Sequence, residues 1–587
     1  MNLKTLSFWS VIVFLLTIVP FAHSVRFGKV NCDDYQYLGV GPRTVRKAFC
    51  DVKEAIWMPL TFLAYSVDHV ASGPGRTSAN VAHAGNVLGH ALNAALLFVF
   101  LATVMRASGC LHGVFWPFVG ALAWSLHPLR CESVAWIASK KDVLSMAFLL
   151  CALLSWCVWR QNGRRIAYGL SMFSLVLGAM AKPSVMVFIG LVVLVDYFVF
   201  RENVGAIERL LPPAWRGEAD GTRDVRKALR EYAVPAVLCL AVAVEATLLQ
   251  RIGGATVADQ GTPLWWKCLN ALNSVGVYVI NTFAPFRLAP QCQIRFPELP
   301  ARIWLALPLG LCLLAGTGRL LRARSSAAFG LVWFVGALVP FLGVSGFGYH
   351  AFADRFTYIP AMGLSVALVQ TLGRCQGWTR LAALACCACL AFLSARQTSL
   401  WKDDGTIWAQ TLEVDGVRNY VANLNLALWH WETDHDVETC CRHFGPVWDH
   451  DHAAMGLNAF YYIAALVENG DFAKADEIVI GLRNAAQKVI DAGGDGQLLL
   501  AAKEMGNILV EAHQADGLVR ARNALADLIA IDSKFSEQKD GLFLRAKIAE
   551  AERRPDEAQC LYRACAEASR PDAYVRYAYL RKGAGEK

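Results

Sequence analysis

The sequence predicts an all-α protein: a polytopic membrane domain over residues 1–395, then a helical repeat domain over residues 396–587. Three observations predict it. Of the 587 residues, 55% are hydrophobic and only 18% are charged, where a soluble chain carries about a quarter charged. The apolar residues gather into runs of membrane-spanning length before residue 396. Charge divides at the same place, with 34 Lys/Arg against 18 Asp/Glu before it and 22 against 30 after it. This composition excludes a disordered chain, a secreted disulfide knot and a nucleic-acid-binding module.

Taken in order, about eleven spans are expected, at roughly 6–23, 86–105, 110–127, 143–159, 166–181, 184–200, 232–250, 302–319, 327–343, 358–373 and 381–395. Lys4, the apolar run after it and Phe21-Ala22-His23-Ser24 also fit a cleavable signal peptide. The stretch 264–286 is apolar but carries Lys267, Asn270, Asn273 and Asn281, and Pro285 stops it. Basic loops mark the cytoplasmic side. Those loops are 160–165, 201–230, 319–324 and 374–380. All four fall on one side only if 264–286 lies on the outer face as an amphipathic segment. The acidic C-terminal part then lies outside, in a periplasm or lumen. No glycosylation or retention pattern stands out, which favours a bacterial inner membrane over an ER membrane.

Residues 396–587 show helical periodicity. Tyr420–Thr433 reads as one helix, and 454–480 and 542–566 each read as a helix–turn–helix. Asn469-Gly470-Asp471-Phe472-Ala473-Lys474-Ala475 resembles the turn of a tetratricopeptide unit, and Arg554-Pro555-Asp556-Glu557-Ala558 repeats it. Such units stack into a solenoid with a concave binding face. A plain helical bundle is the other reading.

The topology sorts the polar residues. On the outer face fall Asp33 and Asp34, then Asp51, Glu54 and Asp68. His83, Asn86, His90 and Asn93 are spaced 3, 4 and 3, so they share one helix face. His127, Glu132, Lys140, Lys141 and Asp142 lie between two spans, Lys182 between two others, and Tyr349, His350, Asp354 and Arg355 between two more. Ionisable groups at membrane depth pair, line a cavity or do chemistry. A one-sided set points to a cavity open to that face, although ordinary loop charges anchoring span ends would look the same. Adjacent carboxylates such as Asp33-Asp34 suit general-base work, because each raises the other's pKa. Glu245 and Asp196 fall inside spans and fit neither group. No phosphate-binding glycine loop, dinucleotide fingerprint or zincin helix is present. Cys386-Cys387-Ala388-Cys389 lies within an expected span and reads as packing. Cys32, Cys50, Cys131 and Cys292 are all candidates for disulfides on the outer face.

The motifs resemble those of a family of polytopic membrane glycosyltransferases with C-terminal tetratricopeptide repeats. Its eukaryotic relatives are the transmembrane and tetratricopeptide-containing O-mannosyltransferases. Val30-Asn31-Cys32-Asp33-Asp34 is similar to the family's opening acidic motif. His127-Pro128-Leu129-Arg130-Cys131-Glu132-Ser133-Val134-Ala135-Trp136-Ile137, continued by Lys141-Asp142-Val143-Leu144-Ser145, resembles its most specific block. Gly178-Ala179-Met180-Ala181-Lys182-Pro183 and Ala353-Asp354-Arg355-Phe356-Thr357-Tyr358-Ile359-Pro360 resemble two more. Trp57-Met58-Pro59-Leu60-Thr61 departs from the pattern, with Met58 where the family has His.

The resemblance implies a GT-C-like membrane domain that transfers a sugar from a polyprenyl- or dolichyl-phosphate donor to a hydroxyl acceptor, with inversion, on the outer face. Asp33 becomes the expected general base, with Asp34 beside it and Glu132 as a further catalytic carboxylate. Arg355 is the first candidate for the departing phosphate, followed by Lys182 and Lys141. Asp142, Asp354, His83 and His90 are further substrate-binding candidates. The expected partners are membrane lipids, the lipid-linked sugar and a protein Ser/Thr acceptor held by the repeats, with no nucleic acid. No cofactor is required by such chemistry, and a divalent metal is compatible with the carboxylates. The alternative function is a non-enzymatic, membrane-anchored repeat scaffold for envelope assembly.

Overall fold

The computed structural model describes residues 3–567 except 39–42, 51–55, 73–77, 111–112, 209–223, 253–262, 291, 294–302, 324, 344–349, 451–454, 456–457, 492–502, 504–505, 507–508, 511–520, 524 and 527–538. Asp51, Glu54 and Tyr349 lie outside the described residues, as do parts of the basic loops 201–230 and 319–324. The chain divides into two compact units, Met1–Ile407 and Trp408–Lys587. The described strands are Cys292–Gln293 and His350–Phe352, paired antiparallel, and helices account for the other regular elements.

Each expected span coincides with a helix, but not every helix is long. Among the described residues, six are long and apolar enough to cross a membrane: Ser78–Ala107, Ile137–Asn162, Pro183–Phe200, Val225–Ile252, Ile303–Arg322 and Trp378–Ser399. The other five expected spans fall on Leu3–Ile18, Phe115–Ser125, Arg165–Ala181, Ala327–Leu338 and Ala361–Leu372. The expectation of eleven full spans is therefore corrected to six. The reason is that hydropathy sums across breaks in the backbone. The 110–127 stretch includes Gly113, at φ +120°, so its helix has only 11 residues and rises about 16 Å. A hydrocarbon core is about 30 Å thick. Pro340 and Pro360 similarly shorten the two helices beside them.

The first unit has one large apolar core. Trp156, Trp333, Phe98 and Phe100 are among its fully buried members. Helices approach closely where a side chain is missing. Gly330 on Ala327–Leu338 lies against the carbonyl of Gly363 on Ala361–Leu372, and a Cβ there would also stand 2.5 Å from the Ala367 nitrogen. A Cβ on Gly363 would stand 2.7 Å from the Phe334 nitrogen. Both obstacles are backbone, so neither can rotate away. Gly363→Val is expected to lower the thermal midpoint in detergent sharply, by an overpacking cost of about 3 kcal/mol or more, whereas Gly336→Ala, with nothing within 4 Å of its Cβ, leaves it nearly unchanged.

The Leu264–Phe283 helix differs from a detached surface segment. Gly276 abuts Ala306, and a Cβ on Gly310 would stand 2.6 Å from the Leu272 carbonyl. As the number rises on one helix it falls on the other, so this helix runs antiparallel along Ile303–Arg322. Small residues at a four-residue interval permit that approach.

Asp196, unassigned by the sequence, is fully buried in an ion-pair network. It meets Arg160, and it accepts from Trp156 Nε1 at 3.0 Å and from the Tyr232 hydroxyl at 2.7 Å. Arg160 also reaches Glu231 at 2.8 Å. This closes the far end of the Lys140–Asn162 helix. In the second unit, helices pair as Tyr420–Thr433 with Val437–His450, Ala459–Glu468 with Phe472–Asp491, and Lys539–Ala551 with Pro555–Glu567. They share a core around Trp431, Phe444, Ile463 and Tyr562.

Candidate active site

The site forms where four distant stretches meet: 30–37, 127–142, Lys182 and 354–358. The Lys140–Asn162 helix opens with two lysines in its first turn. Cations oppose the positive end of the helix dipole, so helix formation alone does not favour them there. Asp142, in the same turn, suits the dipole.

Each cation has its own environment. Lys140 pairs with Asp68 at 3.0 Å and donates to the Ala82 carbonyl at 3.2 Å. Lys182 is ion-paired with Asp142 at 2.5 Å. Burial holds the Lys182 ammonium below its usual range, although Asp142 opposes this. Arg355 pairs with Glu132, and its backbone N–H donates to the second Glu132 oxygen at 2.8 Å. Among the described residues, Lys141 alone of the four touches no carboxylate. Its ammonium reaches the Tyr37 hydroxyl at 3.4 Å and lies over the Tyr37 and Trp136 rings at 5.0 and 5.6 Å. Asp33 and Asp142 stand close enough to act on it electrostatically. The residue is only 8% exposed, and the Tyr37 hydroxyl, the two aromatic faces and the Asp33 and Asp142 charges offset the cost of enclosing its ammonium.

The two adjacent carboxylates separate in role. Asp34 is buried. It accepts from the backbone N–H of Val30 at 3.0 Å and of Ala138 at 2.9 Å, so it ties the acidic loop to the 127–142 segment. Asp33 is half-buried, in the left-handed region at φ +67°. Among the described residues nothing hydrogen-bonds its carboxylate. Asp33 is thus the open carboxylate, and Asp34 is the bracket behind it.

Burial pushes the Asp34 carboxyl from 3.8 to about 7, against the pull of its two N–H donors. A folded carboxyl that stays protonated while the unfolded one ionises loses stability as pH rises. The loss runs from about pH 4 to about pH 7, at up to about 1.4 kcal/mol per pH unit. Thermal midpoints measured from pH 4.5 to 7.5 should therefore fall less steeply for Asp34→Asn than for the wild type.

Several residues expected to meet substrate instead brace the site. His83 and His90 are fully buried. His83 Nε2 bonds the Gly28 carbonyl at 3.0 Å, and His90 bonds the Ser125 carbonyl at 3.0 Å and the Tyr358 hydroxyl at 2.8 Å. From the same face, Asn86 donates to the Trp136 carbonyl at 3.0 Å and Asn93 to the Val143 carbonyl at 2.8 Å. The shared face is as expected, and it supports the 125–143 segment. Asp354 is buried against Asn281, 3.3 Å away. Burial and the Glu132 charge push its carboxyl well above the ordinary range. Glu132 is itself fully buried, and burial raises its carboxyl against the pull of Arg355. Both of its oxygens meet Arg355. His83, His90, Asp354 and Glu132 thus each have a partner within the protein.

The sequence reading missed Trp136. Its ring carries Lys141 on one contact and Arg355 on another, at 5.1 Å. Its indole N–H donates to the Cys32 carbonyl at 2.6 Å. The available signal was an aromatic residue inside the most specific motif, four and five residues before the paired lysines. Among the described residues, Cys32, Cys50, Cys131 and Cys292 are not joined in disulfides. Among the described residues no three His, Cys, Asp or Glu side chains converge as a metal site.

No family model matches the sequence, and no curated protein matches it. Among solved structures, the oligosaccharyltransferase of Archaeoglobus fulgidus in its apo form aligns with a TM-score of 0.35 and 13% identity. The alignment covers 74% of this chain and 59% of that one, so the chain spans less than two thirds of that enzyme. A likeness this faint decides nothing about the chemistry.

Proposed function

We propose that the chain is a membrane glycosyltransferase that moves a sugar from a lipid-phosphate donor to a hydroxyl acceptor with inversion. One observation carries this reading: a buried ammonium without a carboxylate contact, Lys141, stands within electrostatic reach of an open carboxylate, Asp33. An inverting transfer needs that combination, a cation for the departing phosphate and a base for the attacking hydroxyl. The motif resemblance points the same way.

In the proposed step the acceptor oxygen attacks the anomeric carbon and its proton passes to Asp33. The bond from the anomeric carbon to the phosphate oxygen breaks, and the lipid phosphate leaves with the electron pair. Lys141 meets the developing charge, supported by Lys182 and Arg355, which lie within electrostatic reach of it. Asp142 steadies Lys182, and Glu132 steadies Arg355. Sequence arrangement favours an outer-face site, and the helix pairs of the second unit suit a tetratricopeptide-like solenoid that presents a protein Ser/Thr acceptor. Holding the acceptor near the membrane raises its effective concentration.

Purified protein given a radiolabelled polyprenyl-phosphate sugar and a Ser/Thr-rich peptide is expected to yield labelled peptide with inverted anomeric configuration. Retained configuration would exclude Asp33 as a simple base. Absence of transfer across mannose, glucose and N-acetylhexosamine donors would favour the scaffold.

A further inference from the structure

The acidic loop is fastened by a part of the chain that no motif marks. After the Trp378–Ser399 helix the chain turns and enters the Asp404–Asp415 helix. Asp403 caps the new helix, its Oδ1 accepting from the Thr406 N–H at 2.9 Å. Asp404, beside it, turns elsewhere. Its Oδ1 accepts from the backbone N–H of Asn31 at 2.7 Å. Asn31 stands two residues before Asp33. Nearby, Trp401 is 1% exposed and stacks on Trp136, with ring centroids 6.1 Å apart and planes 23° apart. Trp136 holds the Cys32 carbonyl on one side and the Lys141 and Arg355 cations on its ring.

Residues 31–33 are therefore gripped from two directions, by Asp404 on the Asn31 nitrogen and by the Trp401–Trp136 stack through the Cys32 carbonyl. Asp33, which follows both grips in the chain, is left-handed, a conformation that Asp adopts more readily than most non-glycine residues. Asp34 fixes the far side of the turn through Val30 and Ala138. Without Asp404 the Asn31 nitrogen loses that acceptor, while Trp136 still holds the Cys32 carbonyl and the Cys32 N–H still donates to the Val30 carbonyl at 2.7 Å.

We propose that Asp404 and Trp401 are positioning residues of the transfer reaction, holding the acidic loop and the Trp136 ring so that the Asp33 carboxylate stays beside Lys141. The assignment of a reaction rests on the function proposed above, but the fastening of the loop does not. A carboxylate displaced by about 1 Å costs on the order of a hundredfold in rate.

The test uses the full-length protein with Asp404→Ala, Asp404→Asn and Trp401→Leu. Two readouts are taken: transfer kinetics, and the rate of Cys32 alkylation resolved by peptide mass spectrometry. Cys32 is partly exposed and lies inside the gripped loop. Asp404→Ala is expected to speed Cys32 alkylation about tenfold and to lower kcat by roughly ten- to a hundredfold, with donor KM within about threefold of wild type. Asp404→Asn keeps the accepting oxygen and is expected to restore both readouts. Trp401→Leu should resemble Asp404→Ala. Alkylation of Asp404→Ala at the wild-type rate would overturn the proposal. So would an Asp404→Asn protein as impaired as Asp404→Ala, because charge and not the bond would then be at work. If the wild type transfers no sugar with any donor, the glycosyltransferase reading fails, and Cys32 alkylation still decides whether Asp404 holds the loop.

Discussion

Asp33→Asn is expected to lower sugar transfer by on the order of a hundred- to ten-thousandfold, the contribution of a positioned general base, while donor binding changes little. Asn is the informative replacement. It tolerates the left-handed backbone that Asp33 adopts at φ +67°, so the loop keeps its shape and only the proton acceptor is lost. Ala at the same position would add backbone strain and blur the result. Asp34→Asn is the contrasting control. It disturbs the bonds to Val30 and Ala138, so it should show in stability and its pH dependence. Equal transfer by wild type and Asp33→Asn would remove the base from Asp33.

Lys141→Met should separate stability from activity. The methionine fills the space over Tyr37 and Trp136 without an ammonium that lacks a carboxylate contact. Thermal midpoint is expected to change little, because the lost attraction to Tyr37, Asp33 and Asp142 is balanced by the desolvation that an apolar replacement of similar volume avoids. Transfer is expected to fall by roughly a hundred- to a thousandfold, the usual loss when one charge-stabilising donor is removed. Lys140→Met is the comparison. Its partner Asp68 would be left behind without the ion pair, so that variant is expected to lose stability. A fall in stability for Lys141→Met would show that Lys141 is structural.

Much of the site was legible in the sequence as a set of residues, and little of it as a set of roles. The motif blocks bring Asp33, Glu132, Lys141, Asp142, Lys182 and Arg355 into one list, and the structure brings them into one place. The pairing was hidden. Glu132 and Arg355 are 223 positions apart, and nothing local says that one neutralises the other while Lys141 touches no carboxylate among the described residues. The 3, 4, 3 spacing of His83, Asn86, His90 and Asn93 fixed a common face, but periodicity does not say whether a polar face meets water or backbone. Helix existence was readable from apolar runs. Helix length was not, because a single residue such as Gly113 or Pro340 interrupts a run without lowering its hydropathy much. Asp404 and Trp401 were invisible, since they act across the chain on a backbone nitrogen and on a ring.

The bracing stripe on the Ser78–Ala107 helix has a consequence for mutational freedom. Asn86, His90 and Asn93 grip the carbonyls of Trp136, Ser125 and Val143. A carbonyl is the same whatever side chain follows it. Ser125 and Val143 are themselves buried, and the Ser125 hydroxyl meets that of Thr17 at 2.9 Å, so they can change only to residues of similar size. In a saturation screen scored for folded protein, positions 86, 90 and 93 should tolerate few replacements, and positions 125 and 143 should tolerate only small ones. Such a frame lets the segment it supports acquire new substrate preferences without rebuilding the fold beneath it.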